Sequence, residues 1–248
     1  MSPLRPVFTN LNGDSSWLIS LPQPAGGYFH LLLDPWLGGP AIITSSWLSH
    51  ITHIEQENGA ESRIDAVIVS HPFSDHTHKD TLIQLASTVT VYATRETAAV
   101  VRSWNYFDTV PHPALYYGMV IAYTTPEKTT EAVIYSPHGI EPPFVQPLVE
   151  EASFTTLALL HGIDDQSTLG VPQLGVENGL RLEALTGARY WLRTHSPLLD
   201  FRGLIGWFYR IFPRTLDDGL EQEERETGYK RARPNYVEIA NGESVVSK

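Results

Sequence analysis

The feature that most constrains the fold of this 248-residue chain is an apolar run, residues 64–69, that leads directly into a segment crowded with imidazole and carboxylate groups. The run reads Ile-Asp-Ala-Val-Ile-Val and is typical of a largely buried strand. The next segment, residues 70–78, reads Ser-His-Pro-Phe-Ser-Asp-His-Thr-His. Its metal-competent side chains are those of His71, Asp75, His76 and His78. Three imidazoles and a carboxylate so close to a strand end predict a site for a divalent metal.

Four other apolar runs also end at an aspartate or a histidine. These residues are Asp34, His138, His161 and His195. Residues 79–87 and 95–104 have helical patterns, so that strands and helices alternate as they do in α/β proteins. Because strand ends on one side of a sandwich can converge in space, we expect these side chains to lie near one another.

Composition narrows the classes of function. The chain is 42% hydrophobic, which is enough for one globular domain over residues 1–248, and residues 214–233 form a charged, helical segment. A net charge of −11 argues against a nucleic-acid partner, and the absence of cysteine excludes Cys-based zinc sites. No signal peptide or membrane span is evident. We therefore expect a cytoplasmic protein with a small-molecule substrate and no membrane partner, and the sequence does not predict its oligomeric state.

Three stretches together resemble the metallo-β-lactamase superfamily, in particular its L-ascorbate-6-phosphate lactonase branch. Residues 13–16 read Gly-Asp-Ser-Ser, residues 34–37 read Asp-Pro-Trp-Leu, and residues 70–78 are similar to the His-x-His-x-Asp-His motif of the family. The likeness extends from about residue 10 to residue 200. It implies an α/β fold of four layers, an αββα sandwich, and a final strand that ends in a metal-binding histidine, which His195 matches.

The chain departs from this family at three places. Phe73 stands where the second histidine of the motif belongs, and no histidine lies between Pro113 and Ser136 to complete the first of the two metal sites that are usual in the family. His138 occupies the position of the aspartate that bridges the two metals. The resemblance then implies one divalent metal, with zinc preferred over iron or manganese. Its ligands would be Asp75, His76, His138 and His195, with His71 as either a further ligand or a neighbour.

Other roles follow from position. Asp75 would also orient the attacking water, while His161 or His71 could carry a proton to the leaving group. Phe73, Trp36 and Trp47 would form apolar walls for the substrate, although aromatic residues more often simply fill cores.

Two remaining residues of the strand ends have supporting roles in this interpretation. Asp34 would fix the site through hydrogen bonds. His78 would point outward or support a ligand.

Three functions remain open at this stage. The leading hypothesis is a metal-dependent hydrolase of a lactone, ester or related carbonyl compound. The second is a mononuclear iron oxygenase or another non-hydrolytic metalloenzyme, because a histidine-rich site with an open position can also bind dioxygen. The third is a non-catalytic descendant that binds a ligand.

Overall fold

The computed structural model describes residues 4–42, 47, 50–53, 63–112, 118–151, 153–168, 170–195 and 199–247. The strands, in chain order, are β1 (Val7–Asn10), β2 (Trp17–Pro22), β3 (Tyr28–Leu33), β4 (Ala41–Ile42), β5 (His50–His53), β6 (Ala66–Val69), β7 (Thr90–Ala93), β8 (Met119–Thr124), β9 (Thr130–Ser136), β10 (Thr155–His161), β11 (Asp165–Thr168), β12 (Val171–Gln173), β13 (Tyr190–Arg193), β14 (Leu199–Arg202), β15 (Tyr209–Phe212), β16 (Tyr236–Val237) and β17 (Ser244–Val246). The helices are α1 (Lys79–Leu82), α2 (Arg95–Ser103), α3 (Pro142–Glu151), α4 (Val176–Thr186) and α5 (Leu216–Thr227), with a 3₁₀ helix at Ile205–Phe208.

Two mixed sheets pack face to face at the centre of the molecule. The first has the strand order β17-β1-β2-β3-β6-β7, and the second has the order β16-β13-β10-β9-β8. The apolar core between them contains Trp17 and Leu33 from the first sheet, and Tyr135 and Leu160 from the second. These side chains are fully buried, so the two inner faces exclude water from each other.

Helices cover the outer face of each sheet. Leu82 of α1 and Val101 of α2 pack with Val67 and Val69 on the first sheet. Leu182 of α4 packs in the same way on the second sheet. The layers are therefore helix, sheet, sheet and helix, which confirms the predicted αββα sandwich.

Parallel pairing places the functional strand ends side by side. In the first sheet β3 runs parallel to β6, so Asp34 and Ser70 emerge at the same edge. In the second sheet β10 runs parallel to both β9 and β13, so the residues that follow these three strands emerge together. Two small sheets, β12-β11-β15 and β14-β5-β4, are formed by segments that also line a cavity at this edge.

Several elements differ from the sequence-based expectation. The helix predicted over 79–87 is only the single turn α1, which begins directly after His78. The sequence patterns did not predict α3 or the two small sheets. Within the charged segment, α5 begins at a capping box formed by Thr215 and Asp218 and ends before Gly228 in a left-handed conformation. None of the described helices is long and apolar enough to cross a bilayer.

Candidate metal centre

A fully buried carboxylate, Asp34, organises one side of the site. It follows β3 with a positive φ of 39°, an angle that a short polar side chain tolerates better than most. Its Oδ1 accepts a hydrogen bond from the Ser70 backbone N–H at 2.6 Å, and its Oδ2 accepts one from the Tyr135 hydroxyl at 2.6 Å. The Ser70 hydroxyl also donates to Oδ2. The predicted positioning role of Asp34 agrees with these contacts.

The next hydrogen bond of Asp34 fixes the tautomer of His76. The His76 Nδ1 atom donates to Asp34 Oδ2 at 2.7 Å, so the lone pair of the neutral ring is on Nε2. Burial alone would lower the pKa of His76, but the carboxylate of Asp34, assisted by Asp75, raises it above its ordinary value. Burial would likewise raise the pKa of Asp34, and the charge and hydrogen bond of His76 lower it instead.

His71 and His138 bring two further rings to His76. The Nε2 atoms of His76 and His138 are 3.1 Å apart, and the ring centroids of His71 and His138 are 4.1 Å apart. His71 Nδ1 lies 2.9 Å from the Ser70 hydroxyl oxygen, which accepts because the Ser70 proton is donated to Asp34. Burial and the neighbouring His76 lower the pKa of His71 to about 3. Burial and the surrounding imidazoles also keep the pKa of His138 well below its ordinary value.

A fourth ring, that of His195, approaches from the second sheet. Its φ is 50°, and its Nδ1 donates to Asp14 Oδ1 at 3.0 Å. Its centroid is 4.6 Å from that of His138 and 5.3 Å from that of His76. Asp75 lies beside these rings, with Oδ2 at 3.8 Å from His76 Nε2.

This donor set fits a divalent metal ion. Single ligand atoms of His71, His76 and His138 all lie within 4.8 Å of one another. Two nitrogens bound to one zinc ion at about 2.0–2.1 Å are themselves roughly 3 Å apart, which is close to the separation of the His76 and His138 atoms. His195 Nε2 and Asp75 Oδ1 are buried and have no hydrogen-bond partner in the described part of the chain. Buried polar atoms without partners are costly, and a shared cation would satisfy both.

All five predicted metal ligands are therefore brought to one place, including His71, whose role the sequence left open. His161 is not brought there. It is fully buried beneath α4, with Nδ1 at 2.6 Å from the Gly162 carbonyl oxygen and Nε2 at 2.8 Å from Asn178 Oδ1. Because both ring nitrogens are held by the protein, the geometry does not support the predicted proton-carrying role of His161. His78 lies 2.9 Å from the Thr81 hydroxyl and is likewise not part of the cluster.

The cluster opens into a cavity of about 610 Å³. Of the three aromatic residues predicted to contact substrate, only Phe73 lines this cavity, and its side chain is 48% exposed. Trp36 is wholly buried and donates to the Gly39 carbonyl oxygen, so it is a core residue. Trp47 is 71% exposed and lies outside the cavity lining. The predictions for Trp36 and Trp47 therefore fail, because tryptophan supplies core and surface contacts as readily as pocket walls.

The structure adds supporting residues that sequence reasoning did not assign. Ser70 and Tyr135 hold Asp34, and Asp14 holds His195. Asp14 lies in the Gly-Asp-Ser-Ser segment, so the resemblance contained a signal for it. Gln166 and Tyr209 line the cavity on β11 and β15, two strands without any recognised motif.

Comparisons with known proteins bear on the fold that holds this cluster. A family model described as a β-lactamase superfamily domain matches residues 30–145, which include Asp34, the 70–78 motif and His138. Among curated proteins, no relative shows significant sequence similarity.

Three solved structures resemble the chain over nearly its whole length. A possible metal-dependent hydrolase from Veillonella parvula has a TM-score of 0.58 at 10% identity, and the match covers 98% of this chain and 99% of that one. The metallo-β-lactamase fold protein YhfI from Bacillus subtilis has a TM-score of 0.56 at 16% identity, with 98% and 99% covered. CmlA, a diiron β-hydroxylase from Streptomyces venezuelae, has a TM-score of 0.55 at 13% identity, with 99% of this chain and 54% of that chain covered.

At these identities the structures establish the fold, while the finer assignment to the L-ascorbate-6-phosphate lactonase branch stays a prediction. The chain has the metallo-β-lactamase fold, and its residues 30–145 are similar to the β-lactamase superfamily domain.

Proposed function

We propose that this protein is a metal-dependent hydrolase that uses a single metal ion against an uncharged ester or lactone. The observation that carries the proposal is the convergence of four imidazoles and one carboxylate at the floor of a cavity, with His195 Nε2 and Asp75 Oδ1 buried and unpartnered there among the described residues. The oriented Nδ1 atoms of His71, His76 and His195 leave their Nε2 atoms as the ligating atoms.

The proposal of one metal rests on Phe73. In the family that the motif resembles, a histidine at this position belongs to the first of the two metal sites, whereas here Phe73 lines the cavity. A phenyl ring offers no lone pair to a metal, and single ligand atoms of His71, His76 and His138 lie within 4.8 Å of one another, which suits one shared ion. His138, which replaces a bridging carboxylate, then acts as an ordinary ligand.

The cavity lining favours an uncharged substrate. Its described walls contain apolar side chains such as Ile140, Phe144 and Phe201, and no lysine or arginine. A phosphate or carboxylate group would lose its hydration without gaining a positively charged partner. Asp75 and Glu141 at the same cavity would repel such a group further.

In hydrolysis, water adds to the carbonyl carbon, the bond to the leaving oxygen breaks, and an acid and an alcohol are released. A bound divalent metal supplies Lewis acidity, which lowers the pKa of water and polarises a carbonyl. Asp75 is placed to accept a hydrogen bond from the attacking water and so to orient it. Phe73 and Phe201 exclude bulk water from the apolar part of the substrate.

The test combines metal analysis with variants of two ligands. We expect about one equivalent of metal per chain and its loss in His76→Ala and His195→Ala. The wild type should hydrolyse 4-nitrophenyl butyrate or dihydrocoumarin, and these two variants should not. His112→Ala, a histidine outside the cavity, should retain metal and activity.

Other results would change the proposal in defined ways. Two equivalents of metal would exclude the single-metal site. Iron as the bound metal, with substrate-dependent oxygen consumption, would favour the oxygenase alternative. A protein that binds neither zinc, iron nor manganese would be a non-catalytic descendant of the fold.

A further inference from the structure

Tyr209 stands in the wall of the cavity at a point that the hydrolase proposal does not use. It begins β15, directly after the 3₁₀ helix, and its backbone pairs with Thr168 of β11. Its ring stacks on Phe201 with centroids 4.0 Å apart and an interplanar angle of 20°. Both rings line the same cavity as Asp75 and His195, so Tyr209 is held rigidly beside the cluster.

A short chain of hydrogen bonds links the Tyr209 hydroxyl to one metal-binding residue. The hydroxyl donates to Gln166 Oε1 at 2.9 Å, and Gln166 Nε2 donates to the His195 carbonyl oxygen at 3.0 Å. Gln166 is almost wholly buried, and this second bond orients its amide so that the oxygen faces Tyr209. The hydroxyl is therefore at a fixed position relative to His195.

The phenol is a neutral donor. Burial raises its pKa, and the negative charges of Asp14, Asp164 and Asp75 raise it further. The imidazoles that line the cavity, those of His71, His138 and His195, belong to the cluster, and the described cavity walls contain no lysine or arginine. Carbonyl hydrolysis places negative charge on the carbonyl oxygen, and a fixed donor there lowers the barrier.

We propose that Tyr209 is a catalytic residue that donates a hydrogen bond to the substrate carbonyl oxygen as negative charge develops on it. No proton is transferred, because the hydroxyl only exchanges its acceptor, from Gln166 to the substrate. This inference rests on the proposed hydrolase function and adds a residue to it. The competing interpretation is that the hydroxyl only positions Gln166 and, through it, His195.

The deciding variant is Tyr209→Phe, which removes the hydroxyl and keeps the stacking ring. With 4-nitrophenyl butyrate and metal-loaded protein, we expect kcat to fall about 100-fold while KM changes less than twofold. Metal content and melting temperature should stay at wild-type values. The matched control is Tyr28→Phe, whose hydroxyl donates to the Arg5 carbonyl oxygen away from the cavity and whose loss should leave kcat unchanged.

A second measurement separates the two roles and does not need turnover. A trifluoromethyl ketone with a butyl chain resembles the tetrahedral state, whereas the corresponding methyl ketone resembles the substrate. Tyr209→Phe should weaken binding of the first, measured by calorimetry, at least tenfold more than binding of the second. An equal loss of affinity for both ketones, or a kcat equal to that of the wild type, would overturn the proposal. Loss of metal from Tyr209→Phe would also overturn it and would assign Tyr209 a positioning role.

The kinetic and binding measurements also distinguish a failure of the Tyr209 proposal from a failure of the hydrolase proposal. A wild-type protein that hydrolyses neither 4-nitrophenyl butyrate nor dihydrocoumarin contradicts the hydrolase proposal. The ketone comparison would then still test whether Tyr209 recognises a carbonyl oxygen in this cavity.

Discussion

The turn after β6 and the end of β10 each contain a fully buried histidine, His76 and His161, and each ring makes a hydrogen bond or close polar contact through Nδ1. At His76 the partner is the Asp34 carboxylate, and Nε2 faces His138 across 3.1 Å. At His161 the partner is a backbone carbonyl, and Nε2 is taken by the Asn178 side chain of α4. A histidine at a strand end is thus a candidate ligand only where its second nitrogen faces other candidate ligands.

The two environments also differ in charge. Burial lowers the pKa of both rings, yet the neighbouring carboxylates reverse this effect at His76, whereas the hydrogen bonds of His161 to Gly162 and Asn178 do not. The region after β6 therefore contains a buried polar atom, Asp75 Oδ1, that has no partner among the described residues and that a cation would satisfy. At the end of β10 both ring nitrogens of His161 instead lie against polar atoms of the protein.

The largest expected effect comes from Asp34→Asn. Oδ1 of Asp34 accepts from the immobile Ser70 N–H and Oδ2 accepts from Tyr135 and His76, so an amide nitrogen must face a donor in either orientation. We expect a loss of about 3–5 kcal/mol in the free energy of unfolding and at least about 10- to 100-fold weaker metal binding. Urea titration measures the free energy of unfolding, and competition with a chelator of known affinity measures metal binding. Asp108→Asn, at an exposed position, is the control, and wild-type metal affinity in Asp34→Asn would refute the role given to Asp34.

The next effect separates stability from metal binding. His161→Ala leaves a void against Gly179 and Trp191 and removes the partner of Asn178 Oδ1, so we expect a loss of about 2–4 kcal/mol in stability. Metal content should remain at the wild-type level, in contrast to His195→Ala. Loss of metal in His161→Ala, measured in the folded fraction after gel filtration, would remove the distinction between the two regions.

The smallest expected effect is a pH dependence of the contribution that His161 makes to the free energy of unfolding. Because the pKa of His161 is lowered in the folded protein, the unfolded chain binds a proton on this ring as the pH falls through about 6.5, before the folded protein does. The stability supplied by neutral His161 is therefore present above this pH and is lost below it, by at most about 1.4 kcal/mol per pH unit. Urea titrations at pH 7.5 and 5.5 with chelator, for wild type and His161→Ala, should show a smaller stability difference between the two proteins at pH 5.5. A difference that grows on acidification would mean that the folded protein protonates His161 first.

Sequence patterns predicted the layered fold because its strands are apolar runs with clear ends. The runs before His71, His161 and His195 all correspond to observed strands. Weaker patterns failed where packing decides: α3 contains Pro147, which a propensity argument would exclude, and β11, β12 and β15 are short and half-exposed. Helix α3 packs against α4, and β11 pairs with both β12 and β15, so these elements depend on tertiary contacts and no local signal marks them.

For the site, the sequence predicted the cluster better than its surroundings. The spacing of Asp75 and His76 and the position of His195 located the cluster, because the motif is contiguous and the family resemblance supplied the remaining residues. The sequence could not tell His161 from a member of the cluster, since that depends on Asn178, 17 residues further on. Tyr209 and Gln166 were not assigned for the same reason, because their meeting is a property of tertiary structure.

The left-handed backbone angles at Asp34 and His195 have a consequence for how a metal would enter the protein. Such angles persist in residues with a Cβ only where the surrounding structure imposes them. Folding itself therefore sets the directions of these two side chains, unlike in small zinc domains that fold around their ion. The rate of metal binding should accordingly be set by diffusion of the ion into a rigid cavity and by loss of its bound water. A chelator should remove the metal while the chain stays folded.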